Sequence, residues 1–400
     1  MKIFSTYMQI NRIISIFLAT VFFLVSLFHI PVNAQEKELD YNELYSLSCA
    51  LIDGDTGRVL YEKDGYTKRP MASTTKIMTL ILTLEYGEID ELVTVSSYAS
   101  KMPDVQLHIK EGEQYYLKDL CYSLILESHN DVAVAIAEHI GGDVKGFADM
   151  MNKKSRELGL SNTYFITPNG LDEKNENGTH STTAVDLARL MKYCVMDSPA
   201  KDEFINICQT QTYSFNDYSG ERSFQVNNKN AFLDMMEGVI AGKTGFTADA
   251  GYCYIAALNK DDKTYVIALL GCGWPNNKNY KWLDSKKLFD YGIENYSFKS
   301  ATDSVTPMKQ IYIKHGTPEE YIDTYIEDYI NIIVSDEEKI ALEYNVPDCL
   351  SPPIKKGQCV GYIDIIIDNS LFKTINVYSS DSVYEKDYRY YLDMILYIIF

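Results

Sequence analysis

Ala250–Leu258 reads AGYCYIAAL, Asn259–Lys263 reads NKDDK, and Thr264–Leu270 reads TYVIALL. Two apolar runs rich in aromatic and β-branched residues, parted by a charged turn, predict an antiparallel pair of strands. Working outward, Leu47–Ile52 and Arg58–Glu62 flank DGDTG at Asp53–Gly57 and predict a hairpin near the other end of the region. Between the two lie apolar or amphipathic stretches that predict helices over Thr75–Tyr86, Leu117–Leu126, Asp131–Ile140, Val144–Leu158 and Thr182–Val195, the last capped by Ser181. Another is predicted over Tyr280–Asn295. Helices bracketed by strands from both ends of a region of roughly 250 residues imply an α/β (α+β) fold. Its sheet is mostly antiparallel, closed by the two ends of the region and flanked by helices.

A chain of 400 residues is long for one domain. Beyond Phe298 the composition shifts, helical periodicity is missing, and Gln310–Lys314, Tyr329–Val334, Cys359–Ile367 and Lys373–Tyr378 predict strands. The expected organisation is an α/β region over 35–297, a small all-β domain over 298–388 and an apolar tail over 389–400. The tail ends in LDMILYIIF, Leu392–Phe400. As a helix those residues would reach only ~13 Å, against ~30 Å for the hydrocarbon layer, so they fit a lipid surface or the face of the β-domain. At the other end, Lys2 and Arg12 precede the uncharged Ile13–Ile30 and the small-residue pattern Val32-Asn33-Ala34. Residues 1–34 therefore read as a signal peptide cleaved after Ala34, with a retained anchor as the alternative. Either reading implies an exported, extracytoplasmic protein.

The net charge of −19 becomes −21 without residues 1–34, which carry Lys2 and Arg12 and no acidic residue. So acidic a chain lacks the clustered Lys and Arg that nucleic acid or anionic lipid rewards, and nucleic acid is excluded as a partner. The eight cysteines are widely spread, without CxxC or CxxH, and most sit in apolar runs such as LSCAL and LLGCG. They read as buried free thiols; no metal ligands are assigned.

Three short motifs follow in order: Ser73-Thr74-Thr75-Lys76, Ser128-His129-Asn130 and Lys243-Thr244-Gly245. With 28 Ser and 30 Lys, chance alone supplies about two S-x-x-K patterns, and three occur, at Ser73, Ser198 and Ser370. Context separates them. Only Ser73 stands where a helix begins, so that Ser73 and Lys76 project one turn apart on one face. Ser198 precedes Pro199, and Ser370 opens a strand, where positions three apart face opposite ways. S-x-N also recurs, at Ser214-Phe215-Asn216, whereas K-T-G occurs once.

The chemistry needs these residue types. A serine hydroxyl is a weak nucleophile until a base takes its proton, and a desolvated lysine beside a second cation can be that base. A helix N-terminus offers N–H groups to developing oxyanion charge. Lys243 and the Thr244 hydroxyl suit a substrate carboxylate. The set describes acyl transfer from a substrate that ends in a free carboxylate.

With these motifs the chain resembles the penicillin-binding D-alanyl-D-alanine carboxypeptidases. The likeness extends to ALIDGDTGRVLY at Ala50–Tyr61, ASTTKIMT at Ala72–Thr79, SHND at Ser128–Asp131 and LGLSNTYFITPNGL at Leu158–Leu171. It continues through HSTTAVDLA at His180–Ala188, GKTGFTADAGYC at Gly242–Cys253 and PPIKKGQCVG at Pro352–Gly361. The resemblance implies a serine β-lactamase/transpeptidase-like domain followed by a small all-β domain. By it, Ser73 is the acylated nucleophile, Lys76 its general base and Ser128 a proton shuttle between Lys76 and the leaving group. Asn130 holds the substrate's peptide amide, Lys243 and Thr244 within the Lys243-Thr244-Gly245 motif bind the terminal carboxylate, and the N–H groups of Ser73 and Phe246 form the oxyanion hole. The implied partners are peptidoglycan stem peptides ending in D-Ala-D-Ala and β-lactam antibiotics as covalent inhibitors, with no cofactor. His129, where the family more often has a small residue, and His180 read as structural. A class A β-lactamase shares the three motifs but adds ExxLN, of which no clear copy lies between Asn130 and Lys243. A penicillin-binding sensor or scaffold with little turnover is the remaining alternative.

Overall fold

In the computed structural model the described residues are 39–399, apart from 104, 303–307, 318 and 319; the signal reading for residues 1–34 lies outside them. The first described strands, β1 (Ser48–Asp53) and β2 (Val59–Lys63), form the hairpin expected around Asp53–Gly57. The helical segment then runs through α1 (Lys76–Tyr86), α2 (Leu117–Leu126), α3 (Asn130–Gly141), α4 (Val144–Glu157), α5 (Ala184–Lys192) and α6 (Lys201–Gln209). The chain re-enters the sheet as β3 (Val239–Thr247), β4 (Gly251–Lys260) and β5 (Lys263–Leu270), and α7 (Tyr280–Asn295) closes the region.

The sheet order is β2-β1-β5-β4-β3, antiparallel throughout, so β1 from one end pairs with β5 from the other. Side chains alternate between faces along a strand. Ala50, Ile52, Ile255, Val266 and Ala268 enter the core shared with the helices, whereas Cys49, Leu51, Tyr254, Tyr265 and Ile267 pack on the other side with Leu288 and Phe289 of α7. Burial on both faces explains why these strands read as continuous apolar runs. Within the helical layer, α1 is buried from Lys76 to Thr83 and α3 from Asn130 to Ala137, which makes them the central pair.

A second region begins with β6 (Ser297–Ser300), which pairs with β7 (Asn331–Val334). Its main sheet carries β8 (Ile340–Asn345), β9 (Cys359–Ile367) and β10 (Ser370–Ser379) around buried Ile311, Ile332, Ile363, Ile365 and Ile375. Arg58 in the β1–β2 hairpin reaches across to the Glu338 carboxylate and the Ile333 carbonyl. Ile333 itself packs beside Phe289 and Tyr296.

The structure corrects several element readings. The fifth helix starts at Ala184, with Thr183 rather than Ser181 as its cap, and passes at Tyr193 into a five-residue π-turn. The helix α6 and the hairpin of Thr212–Asn216 with Ser223–Asn227 went unpredicted, as did β8. The apolar tail expected over 389–400 coincides with a helix as far as the described residues run. Helix α8 spans Tyr388–Ile399, and the Asp387 carboxylate takes the Tyr390 N–H at 3.0 Å as a local cap. All eight cysteines are unpaired; six are buried, while Cys349 and Cys359 are exposed.

Candidate active site

Ala72–Thr75 forms one 3-10 turn immediately before α1, so Ser73 stands one turn ahead of Lys76. Two backbones press against this turn. Gly170 has φ +84, and a Cβ there would sit 2.0 Å from the Ala72 carbonyl oxygen. At Gly245, on β3, a Cβ would sit 2.8 Å from the Ser73 nitrogen. Only glycine permits either approach. The edge strand β3 thus lies directly over the start of the nucleophile turn.

Lys76 is completely buried. Its Nζ donates to Ser73 Oγ at 3.0 Å, to Asn130 Oδ1 at 2.8 Å and to the Asn169 carbonyl at 2.6 Å, one acceptor for each ammonium hydrogen. Burial pushes its pKa well below that of an ordinary lysine, the Lys243 charge pushes the same way, and Asp131 opposes both. Asp131 is itself buried and accepts from the Leu107 and Ile109 N–H groups, fixing the strip of chain that carries Val105 to the lip of the cleft.

Ser128 links α2 to α3 with φ 71, a left-handed backbone that a serine rarely adopts and that clusters at functional sites. Its hydroxyl accepts from Lys243 Nζ at 2.8 Å. Lys243 is 3% exposed, and burial lowers its pKa to about 7. Ser73, Ser128, Thr244, Gly245 and Phe246 line a single cavity of about 450 Å³. The structure therefore gathers Ser73, Lys76 and Asn130 in one hydrogen-bonded cluster and sets Ser128 with Lys243 beside it. The hydroxyl of Ser128 meets Lys243, where the sequence reading had set it against Lys76.

Two contributors were absent from the sequence reading. The Asn169 main-chain carbonyl holds Lys76, and its only sequence signal is Pro168-Asn169-Gly170, a turn tripeptide. Lys281, at the start of α7, lines the same cavity with its ammonium 4.8 Å from the Tyr252 ring centroid and 4.4 Å from that of Trp282. Burial lowers its pKa to about 8. Nothing in a polar stretch such as NNKNYKW marks it out.

Of the histidines, His129 is buried with Nδ1 2.7 Å from Ser123 Oγ, a packing role. His180 is buried too; one ring nitrogen lies 2.8 Å from Thr75 Oγ1 in the nucleophile turn and the other accepts from the loop N–H of Ile166. Among the described residues, no group of three or more His, Cys, Asp and Glu side chains is arranged to hold a metal ion.

A family profile described as D-alanyl-D-alanine carboxypeptidase matches residues 33–272, and a second, described as penicillin-binding protein 5, C-terminal domain, matches 307–385. The chain is 30% identical over 325 residues to D-alanyl-D-alanine carboxypeptidase DacF of Bacillus subtilis, covering 78% of this chain and 79% of that one. It is 26% identical over 373 residues to D-alanyl-D-alanine carboxypeptidase DacA of Haemophilus influenzae, covering 90% and 91%. Among solved structures, penicillin binding protein 5 from Haemophilus influenzae superposes with a TM-score of 0.70 at 25% identity, covering 86% of this chain and 98% of that one. A profile that takes in more than half of the residues, seated on a desolvated serine–lysine pair, leaves one assignment: the chain belongs to the D-alanyl-D-alanine carboxypeptidase family and is a serine-type peptidase of the low-molecular-mass penicillin-binding kind.

Proposed function

We propose that Ser73 is the residue acylated in this carboxypeptidase and that neutral Lys76 takes its proton. The observation that carries the reading is the 3.0 Å contact between Lys76 Nζ and Ser73 Oγ. Burial disfavours the ammonium, and the neutral amine, with its two hydrogens on Asn130 Oδ1 and the Asn169 carbonyl, turns its lone pair to the Ser73 hydroxyl. Ser73 Oγ adds to the carbonyl carbon of the penultimate D-alanine, and the oxyanion lies between the N–H groups of Ser73 and Phe246. Asn130 steadies the substrate amide, while Lys243 and Thr244 take the terminal carboxylate. Lys281 adds a second cation for anionic parts of the substrate in the same cavity. When the C–N bond breaks, the leaving amine takes the Ser128 hydroxyl proton, and Ser128 regains one from the Lys76 ammonium, which thereby gives up the proton it took from Ser73. Water then cleaves the ester, releasing the shortened stem peptide of peptidoglycan.

The test is mass spectrometry of the mature protein with benzylpenicillin, then with diacetyl-Lys-D-Ala-D-Ala, alongside Ser73→Ala. A lasting penicilloyl adduct on Ser73 with release of D-alanine supports the reading. An adduct that vanishes within seconds, the peptide remaining intact, would point to a β-lactamase. An adduct that survives in Ser73→Ala would remove Ser73 from the nucleophile's role.

We further propose that the protein is exported through residues 1–34 and that α8 lies on a lipid surface, with the β-domain holding the catalytic region away from it. Support comes from the exposed apolar side chains of Leu392, Met394, Ile395, Leu396, Ile398 and Ile399. Among the described residues, no helix is long and apolar enough to cross a membrane. A mature N-terminus other than Gln35 would contradict cleavage after Ala34.

A further inference from the structure

The loop Tyr164–Leu171 crosses the nucleophile turn and α1 at three successive levels. The Thr79 hydroxyl donates to the Pro168 carbonyl at 2.6 Å, Lys76 Nζ donates to the Asn169 carbonyl at 2.6 Å, and Gly170 abuts the Ala72 carbonyl. The same loop is held from behind by an imidazole. His180 Nδ1 accepts the Ile166 N–H at 2.9 Å and the Thr167 N–H at 3.4 Å. A ring nitrogen that accepts two backbone N–H groups carries no hydrogen, so the neutral ring has its proton on Nε2. That Nε2–H faces Thr75 Oγ1 at 2.8 Å and donates to it. The ring is 1% exposed and lies edge-on to Phe165, with centroids 5.9 Å apart. One buried side chain therefore spans the residue next to Lys76 and the loop that supplies a Lys76 acceptor.

We infer that His180 is a positioning residue for acylation: it couples the nucleophile turn, through the Thr75 hydroxyl, to the loop whose Asn169 carbonyl fixes the Lys76 amine beside Ser73. The inference rests on the proposed roles of Ser73 and Lys76. His180 touches no reacting atom. It sets the relative placement of two backbones, and shifts of about 1 Å in such placements cost up to ~10²-fold in rate. Of the hydrogen-bonded links between loop and α1, the Thr79 and Lys76 contacts engage carbonyls. The imidazole alone among the described contacts engages the loop's N–H groups and an α1-side hydroxyl together, which fixes the loop's tilt as well as its distance.

The experiment compares Thr75→Val with Thr75→Ser. Valine keeps the side chain's shape and removes the hydroxyl; serine keeps the hydroxyl and removes the methyl. The probe is benzylpenicillin, with the acylation rate constant and the pre-covalent dissociation constant measured separately, and thermal unfolding followed for each protein. Positioning predicts an acylation constant lowered about tenfold in Thr75→Val, in line with the loss of one buried hydrogen bond. The dissociation constant stays within about twofold, and Thr75→Ser remains close to the parent. A packing role predicts the opposite order, with serine the worse variant and the damage confined to thermal stability. His180→Gln completes a cycle with Thr75→Val. Coupled residues give a double variant no slower than the slower single one. Should His180→Gln fail to fold, the two Thr75 variants decide alone. The inference is overturned if Thr75→Val acylates within about twofold of the parent, or if Thr75→Ser is equally slow. Adduct formation in Ser73→Ala would instead sink the reading on which the inference stands, and that control separates the two failures.

Discussion

Gly245 shows how a residue without a side chain can belong to a reaction. Its extended backbone suits any residue, yet a Cβ would meet the Ser73 and Thr74 nitrogens at 2.8 and 3.0 Å. Gly245→Ala should fold, push β3 off the nucleophile turn and lower penicillin acylation by about 10²-fold. Stopped-flow acylation with a parallel melting curve checks this, and an unchanged rate would contradict it. Gly170→Ala should be worse, because a positive φ adds roughly 1–2 kcal/mol of strain to a closer clash. The two active-site lysines predict a bell-shaped kcat/KM for a D-Ala-D-Ala peptide. The acid limb is Lys76 losing its proton at a pKa well below that of a free lysine. The alkaline limb comes as Lys243, with a pKa near 7 before substrate binds, loses the charge that meets the carboxylate. A profile flat from pH 6 to 9, on the order of three units around that value, would remove Lys243 from the carboxylate's capture.

Among the elements, α8 is the one whose sequence and surroundings disagree. Tyr397 is 88% exposed and Ile398 75%, beside exposed Leu392, Ile395 and Leu396, on a helix about 18 Å long at 1.5 Å per residue. Deleting 388–399 should abolish co-sedimentation with zwitterionic phosphatidylcholine vesicles and leave hydrolysis of a soluble peptide within about twofold. Equal sedimentation of both proteins would refute the lipid-surface reading. The boundaries of α8 also show what the sequence conveyed. The segment Tyr388–Tyr391 is three tyrosines and an arginine, favouring strands by propensity, and it is helical here. The signal that was available is Asp387 as a cap. By contrast, α1 and the β4–β5 pair were legible because burial on nearly every side leaves long apolar runs. The polar α6, KDEFINICQ, buries only Phe204, Ile207 and Cys208 and left too faint a stripe to read. In the site, the Ser73–Lys76 spacing is a local fact and could be read from helical geometry. The pairing of Ser128 with Lys243 is set by how α3 meets β3, and the Asn169 acceptor is a carbonyl that every residue possesses.

For the whole molecule, the junction between the catalytic region and the β-domain joins apolar packing at Ile333 to one guanidinium. Arg58 serves Glu338 and the Ile333 carbonyl together, with Tyr296 Oη donating to the Leu60 carbonyl at 2.7 Å nearby. Arg58→Ala should leave soluble-peptide turnover within about twofold while making the chain cleavable by protease near 297–302, since the site lies elsewhere and junction opening is local. Unchanged protease resistance would show that apolar packing at Ile333 suffices. The distribution of sulfur across this architecture has a consequence of its own. The six buried thiols all belong to the catalytic region, where burial raises each pKa, and the two exposed ones belong to the β-domain. Alkylation needs an accessible thiolate. A folded molecule should take up two iodoacetamide adducts and a fully unfolded one eight. Because the β-domain's pair reacts from the outset, every further adduct counts the opening of the catalytic region alone, and the mass spectrum becomes a gauge of one domain's unfolding that ignores the other's.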